Sequence, residues 1–102
     1  MSDEFIRFEK TPELCTIYVS GEVDLSNSAE VRKTILSALK TTPEVKVNLS
    51  AVEYIDSSGI AAMVEGLQFA NNNGRTFKLT QPSNQVNSIL ELARLDQVFD
   101  ID

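Results

Sequence analysis

Tyr54-Ile55-Asp56-Ser57-Ser58-Gly59-Ile60 marks the point where one periodicity stops and another begins. Upstream, Val45, Val47 and Leu49 alternate with Lys46, Asn48 and Ser50, the period of a strand with one buried face. Downstream, Ile60, Met63, Val64, Leu67 and Ala70 recur at helical spacing. The stretch therefore reads as a strand-to-helix turn. Asp and Ser ahead of an apolar-periodic run are N-cap residues, whose side-chain oxygens accept from the helix's unpaired N–H groups, and Gly59 lets the backbone turn closely. A helix start of this kind attracts anions.

Working outward toward the N-terminus, Ile6 and Phe8 alternate with Phe5, Arg7 and Glu9, and Lys10-Thr11-Pro12-Glu13 supplies turn chemistry before a second alternating run of Cys15, Ile17 and Val19. These two runs predict a hairpin. Gly21 to Ser26 reads as a short polar loop, and Asn27 with Glu30 three residues on resembles a capping box. Val31, Ile35, Ala38 and Leu39 form the apolar stripe of the helix that follows, which Thr41-Thr42-Pro43 ends. The central strand is expected over Glu44 to Leu49, with a loop from there to Tyr54.

Toward the C-terminus, the helix begun at Ser57 should finish in Asn71-Asn72-Asn73-Gly74, a run suited to a left-handed cap. Phe77 and Leu79 mark a further strand. Ser83 is the N-cap of a last helix with Val86, Ile89, Leu90 and Ala93 as its buried stripe, and Val98 to Ile101 is a candidate closing strand. Strands alternating with helices call for parallel pairing through right-handed crossovers, with the hairpin adding an antiparallel edge. Strands buried on both faces would be continuously apolar, whereas these alternate, so the helices belong on one face. The expected fold is a single α/β domain over residues 1–102, with a mixed, mostly parallel sheet of about four to five strands.

Composition narrows the function. One domain of 102 residues builds a compact core without room for a large enclosed cleft. The net charge is −6 and the Lys and Arg residues are scattered, which argues against nucleic acid or an anionic membrane as partner. No stretch of about 20 apolar residues is present, and the acidic start at Asp3 and Glu4 is unlike a signal peptide, so a cytoplasmic protein without direct membrane insertion is expected. The chain has no His, which excludes histidine-based triads and most catalytic zinc sites, and its one cysteine, Cys15, lies in phase with the apolar residues Ile17 and Val19. No P-loop pattern occurs, and no base candidate stands beside Ser57. A binding protein is expected rather than an enzyme, with neither cofactor nor metal.

The turn residues, taken with Gly21-Glu22-Val23-Asp24 and Leu92 to Phe99, resemble the signature of the STAS domain, shared by bacterial anti-anti-sigma factors and some transporter subunits. The first flank is similar to the family's Gly-Glu-x-Asp, the second to its closing Leu-x-x-Leu-Asp-x-Val-Phe. The resemblance implies that Ser57, directly after Asp56, is a phosphoacceptor, with Ser58 and Gly59 completing the motif and Asp24 docking a kinase or orienting the acceptor hydroxyl. It further implies partner switching in transcription regulation, with a serine-kinase anti-sigma factor and an opposing phosphatase as partners. Two positions depart from the pattern: Ala61 and Arg94 stand where anti-anti-sigma factors commonly carry Gly. Glu65-Gly66-Leu67-Gln68 is more similar to STAS subunits of lipid-trafficking ABC transporters, which makes docking on a transporter permease or ATPase the second reading.

Each candidate has a plainer explanation. Asp56-Ser57-Ser58-Gly59 would suffice as a helix cap, although capping needs only one of its hydroxyls. Asp24 would serve as a turn residue bonded to its own backbone. At about 100° per residue, Phe69 projects from nearly the opposite side of its helix to the apolar stripe, beside Ala62 and Gly66. Exposed there, Phe69 would be an aromatic anchor for a partner, with small neighbours permitting close approach; otherwise it packs on an adjacent helix.

Overall fold

The computed structural model describes residues 5–102. Strand β1 (Ile6–Lys10) turns back into β2 (Leu14–Val23), helix α1 (Ser28–Thr41) leads into β3 (Glu44–Ile55), α2 (Ser57–Asn72) leads into β4 (Thr76–Thr80), and α3 (Asn84–Leu92) follows. The sheet order is β1-β2-β3-β4. The β1 and β2 strands pair antiparallel, and β3 lies parallel to both β2 and β4. This is the mixed sheet that the alternating elements predict. The expected closing strand shrinks to a single parallel bridge, Leu79 to Ile101, held by the Leu79 N–H on Asp100 and the Asp102 N–H on Leu79.

Cys15, Ile17 and Val19 of β2, Val45, Val47 and Leu49 of β3, and Phe77 and Leu79 of β4 point into one core cluster, joined by residues of all three helices. On the other face Thr16, Tyr18, Lys46, Asn48 and Lys78 stay half-exposed, with Lys46 paired to Asp102 and Lys78 near Glu44. The helices thus cover one face, as strand alternation requires. Burial dominates the Cys15 environment and raises its thiol pKa, with Lys10 opposing, so the thiol stays protonated.

Of two loops expected between elements, residues 50–54 are strand throughout, and Gly21 to Ser26 is strand as far as Val23 and loop from Asp24 on. Pairing of β2 with β3 slips between Tyr18 and Ser20 and again between Gly21 and Glu22, each slip inserting an extra residue into β3. The buried positions of β3 consequently run Val45, Val47, Leu49, Val52, Ile55, and a period of two gives way to three after Leu49. That break makes residues 50–54 look like loop in sequence. Gly21, at φ +80°, adopts the left-handed conformation at the second slip, so β2 continues through it to Val23.

Ser83 fixes α3 to this irregular part of β3. Its hydroxyl donates to the Val52 carbonyl at 2.6 Å while accepting the Val86 N–H at 3.1 Å. Within α3, Val86 and Leu90 are buried and Ile89 half-buried, but Ala93 is exposed. Beyond the helix, Arg94 takes φ +59°, and the Leu95 N–H reaches back to the Leu90 carbonyl. The left-handed turn is therefore kept despite the absence of Gly, at a conformational cost of about 1 kcal/mol.

Helix α2 faces the core with its small residues. Gly59, Ala62, Met63, Gly66 and Ala70 are buried, while Ile60, Val64 and Leu67 are half-buried on its flanks. A side chain at Gly66 would come within 2.7 Å of Ile35 Cγ2 and 3.2 Å of Phe77 Cε1, so the glycine lets α2 settle between α1 and β4. Ala62 and Gly66, expected on an exposed docking face, are instead part of this close contact. Phe69 is half-buried and packs on the core rather than standing free. Of the stripe expected from helical spacing, Met63 and Ala70 are buried, whereas Ile60, Val64 and Leu67 lie on its flank because close helix approach selects the smaller Gly59, Ala62 and Gly66.

Candidate functional site

The turn at the end of β3 is built around one carboxylate oxygen. Asp56 Oδ1 accepts the Ser58 N–H at 2.9 Å, the Ser58 hydroxyl at 2.6 Å and the Gly59 N–H at 3.1 Å. Hydrogen bonding by the Ser58 hydroxyl, then by the Gly59 N–H, holds the Asp56 carboxyl below its usual pKa, with the Ser58 and Leu25 N–H groups adding to the effect and partial desolvation opposing it. Asp56 is thus the cap and remains ionised.

The two serines are not equivalent. Ser58 spends its hydroxyl on Asp56 and is half-buried, whereas Ser57, the first residue of α2, is exposed. Gly59 is buried behind them, where a side chain would meet Ile55 Cγ1 at 2.6 Å and Val23 Cγ1 at 2.7 Å. Gly59 therefore seats the turn against the ends of β2 and β3 and has no surface of its own for a partner.

Asp24 lies beside this turn. Val23 pairs with Ile55, and the Asp56 N–H donates to the Val23 carbonyl at 3.0 Å, joining the two strand ends. Asp24 Oδ1 accepts the Ser26 N–H at 3.0 Å and the Ser26 hydroxyl at 2.5 Å, and its carbonyl accepts from the N–H groups of Asn27 and Ser28. Asn27 does not form the expected capping box: its side chain turns back, accepting the Asp24 N–H and donating to the Glu22 carbonyl. The helix still begins at Ser28, but the asparagine secures the preceding loop.

Asp24-Leu25-Ser26 and Asp56-Ser57-Ser58 are the same local structure, an acidic oxygen bridging both N–H and hydroxyl of the Ser two residues on. The middle residue of each is displayed outward. In one turn it is Ser57 and in the other Leu25, which is 81% exposed. Tyr54, 49% exposed and paired with Glu22, adds an aromatic beside them. Sequence reading missed Leu25, although the repeated Asp-x-Ser spacing was a visible signal.

Chemically, this surface offers a free primary hydroxyl at a helix N-terminus, an apolar tip and a tyrosine among the acidic residues Glu22, Asp24 and Asp56. Among the described residues no group of His, Cys, Asp or Glu is arranged to hold a metal, and no helix is long and apolar enough to cross a membrane.

This arrangement of fold and turn coincides with a known family. The family model described as Mlab, STAS domain, matches residues 6–100. The chain belongs to the STAS domain family. It is similar to the anti-sigma-B factor antagonist of Bacillus subtilis, with 21% identity over 85 residues, covering 83% of this chain and 78% of that protein. Its fold is that of the anti-sigma factor antagonist SpoIIAA in its unphosphorylated form, with a TM-score of 0.81, 20% identity, and 95% and 87% of the two chains covered. The phosphorylated form of the Bacillus cell fate determinant SpoIIAA superposes with a TM-score of 0.74 and 19% identity, covering 95% of this chain and 90% of that one.

Proposed function

We propose that this STAS protein is an anti-sigma factor antagonist of the bacterial cytoplasm, a binding protein and not an enzyme, whose affinity for an anti-sigma factor is set by phosphorylation of Ser57. Unphosphorylated, it binds a serine-kinase anti-sigma factor through the surface that carries Ser57, Leu25, Tyr54 and Asp24. The kinase transfers the γ-phosphoryl group of ATP to Ser57 Oγ, the hydroxyl proton is lost, and the complex separates. An opposing phosphatase restores the binding form.

The observation that carries this reading is the division of labour between the serines. Asp56 and Ser58 complete the cap, which leaves the exposed Ser57 hydroxyl available for chemistry. A phosphate there adds about −1.5 to −2 charge and three acceptor oxygens. The N–H groups at the start of α2 favour it, while Asp56, Asp24 and Glu22 oppose it. The balance predicts little rearrangement of the fold and a large change of potential on the docking surface, which is what a partner switch requires. The two SpoIIAA forms share this fold with and without phosphate, in support of a switch that acts at the surface.

The experiment is phosphorylation by the anti-sigma kinase with ATP, followed by peptide mapping. One phosphate on Ser57, absent in Ser57→Ala, is expected. Labelling abolished by Ser58→Ala alone would overturn the assignment. A partner identified as a transporter permease or ATPase, bound equally by the wild type and both serine variants, would return the protein to the transporter reading.

A further inference from the structure

The core-facing side of the sheet is unfinished at β1. Phe8 pairs with Ile17, and residues directly opposite in an antiparallel pair share a face, so Phe8 lies on the side that the helices cover. Yet Phe8 is 59% exposed, beside a groove of 540 Å³ between β1 and α1 lined by Lys10, Cys15, Lys33, Thr34 and Ala38. Along the edge, hydrogen bonds alternate. The Ser20 N–H donates to the Phe5 carbonyl and the Thr11 N–H to the Leu14 carbonyl, so the odd-numbered residues of β1 bond to β2, and Ile6, Phe8 and Lys10 direct their N–H and C=O groups outward. Among the described residues no strand lies on that side. The edge has neither proline nor bulge to blunt it.

The sequence of this edge, Ile6-Arg7-Phe8-Glu9-Lys10, is complementary to itself when run antiparallel about Phe8. In that register Phe8 faces Phe8 of a second copy, Ile6 faces Lys10, and Lys10 faces Ile6. Each of these is a hydrogen-bonded pair that exchanges two N–H···O bonds, and together they use every outward backbone group of the strand. Arg7 then faces Glu9 of the other copy, twice by symmetry, in the closer non-hydrogen-bonded positions. Shifting the register by two residues breaks both charge pairs, and shifting it by one puts Phe8 out of line with the groove. We propose that two copies of this chain associate through β1, in antiparallel register centred on Phe8, to form one continuous sheet with a twofold axis. The partner's Phe8 fills the groove beside α1, and the Ser57 turn takes no part in the contact.

Sedimentation equilibrium of the full chain up to about 1 mM, a range that detects weak association, is expected to show a reversible rise to twice the monomer mass. Phe8→Pro removes only an outward N–H together with the aromatic ring, leaves the ladder to β2 intact, and should abolish the rise. Arg7→Glu places Glu opposite Glu9 and should weaken association about tenfold; Glu9→Arg should do the same, and the two together should restore it. Thermal melts of each variant separate loss of association from loss of folding. A wild type that stays monomeric throughout the range overturns the proposal. So does a dimer that persists in Phe8→Pro, or one that the paired charge exchange fails to restore.

Discussion

The backbone N–H of Asp56 donates to the carbonyl of Val23 at 3.0 Å, and this bond holds the loop after β2 against the turn after β3. Since Asp24 follows Val23 and Ser57 follows Asp56, the two Asp-x-Ser turns are presented together at the C-terminal ends of neighbouring parallel strands. Open α/β sheets commonly place their binding surfaces there.

Removal of the Asp56 carboxylate strands the N–H groups that it caps. Asp56→Ala should cost about 1 kcal/mol of stability, within the range of N-cap losses, and Asp56→Asn less. Urea denaturation with an unchanged m value checks this. A cost near zero would mean that water or Ser57 takes over the cap.

The same carboxylate gives the fold an acid dependence of known sign. Because the Asp56 pKa is depressed in the folded chain, its contribution is fully present above the ordinary carboxylate range and is lost as pH falls through the lower folded value. In an acid titration, Asp56→Asn should narrow its stability gap to the wild type as pH drops through that window. A gap that stays constant across it would remove Asp56 from the acid response.

Close approach of α2 makes its glycines intolerant of even a methyl group. Alanine normally favours a helix interior over glycine, but at Gly66 the added Cβ meets Ile35 and Phe77, and at Gly59 it meets Ile55 and Val23. Gly66→Ala and Gly59→Ala should each be destabilising by about 1–3 kcal/mol, the usual cost of overpacking. A rise in melting temperature in either would show that α2 moves away from the sheet without penalty.

Arg94 supplies the opposite case. Its φ of +59° is one that glycine adopts freely, so Arg94→Gly should stabilise by about 1 kcal/mol, read as an upward shift of melting temperature. Any loss of stability would show that the Arg94 side chain makes a compensating contact.

Leu25 is the apolar tip beside Ser57, the proposed phosphoacceptor. Leu25→Ala should weaken binding of the anti-sigma partner by about 1 kcal/mol or more, with stability nearly unchanged, since the side chain is 81% exposed. Phe69→Ala should behave the other way, lowering stability through its packing on the core while leaving affinity close to that of the wild type. Exchange of these two outcomes would move the docking surface from the strand ends to the flank of α2.

The order of elements was legible from periodicity, because Val45, Val47 and Leu49 and the residues after Ser57 follow clean periods. A cap within Asp56-Ser57-Ser58 was legible from residue chemistry, though not that the Asp56 carboxylate makes it, as were the second cap at Ser83 and the left-handed close at Gly74, which takes φ +65°. What escaped was geometry that no single period encodes. Bulges hid the second half of β3, and close approach of α2 shifted its buried stripe, which keeps Met63 and Ala70 but takes Gly59, Ala62 and Gly66 in place of Ile60, Val64 and Leu67. Asn27 kept its place at a helix start while its side chain served the preceding loop. Leu25 went unnoticed as an isolated apolar residue in a polar loop, although Asp24-Leu25-Ser26 repeats the spacing of Asp56-Ser57-Ser58.

The most direct measurement is calorimetric titration of the proposed partner, a serine-kinase anti-sigma factor, with wild type, Ser57→Ala, Ser57→Asp and Ser57-phosphorylated protein. Wild type and Ser57→Ala should bind with similar affinity, Ser57→Asp more weakly, and the phosphorylated protein weakest of all, while all four melt within a few degrees of one another. Equal affinity across the four proteins would contradict the switch at Ser57 and leave the residue as no more than the first turn of a helix.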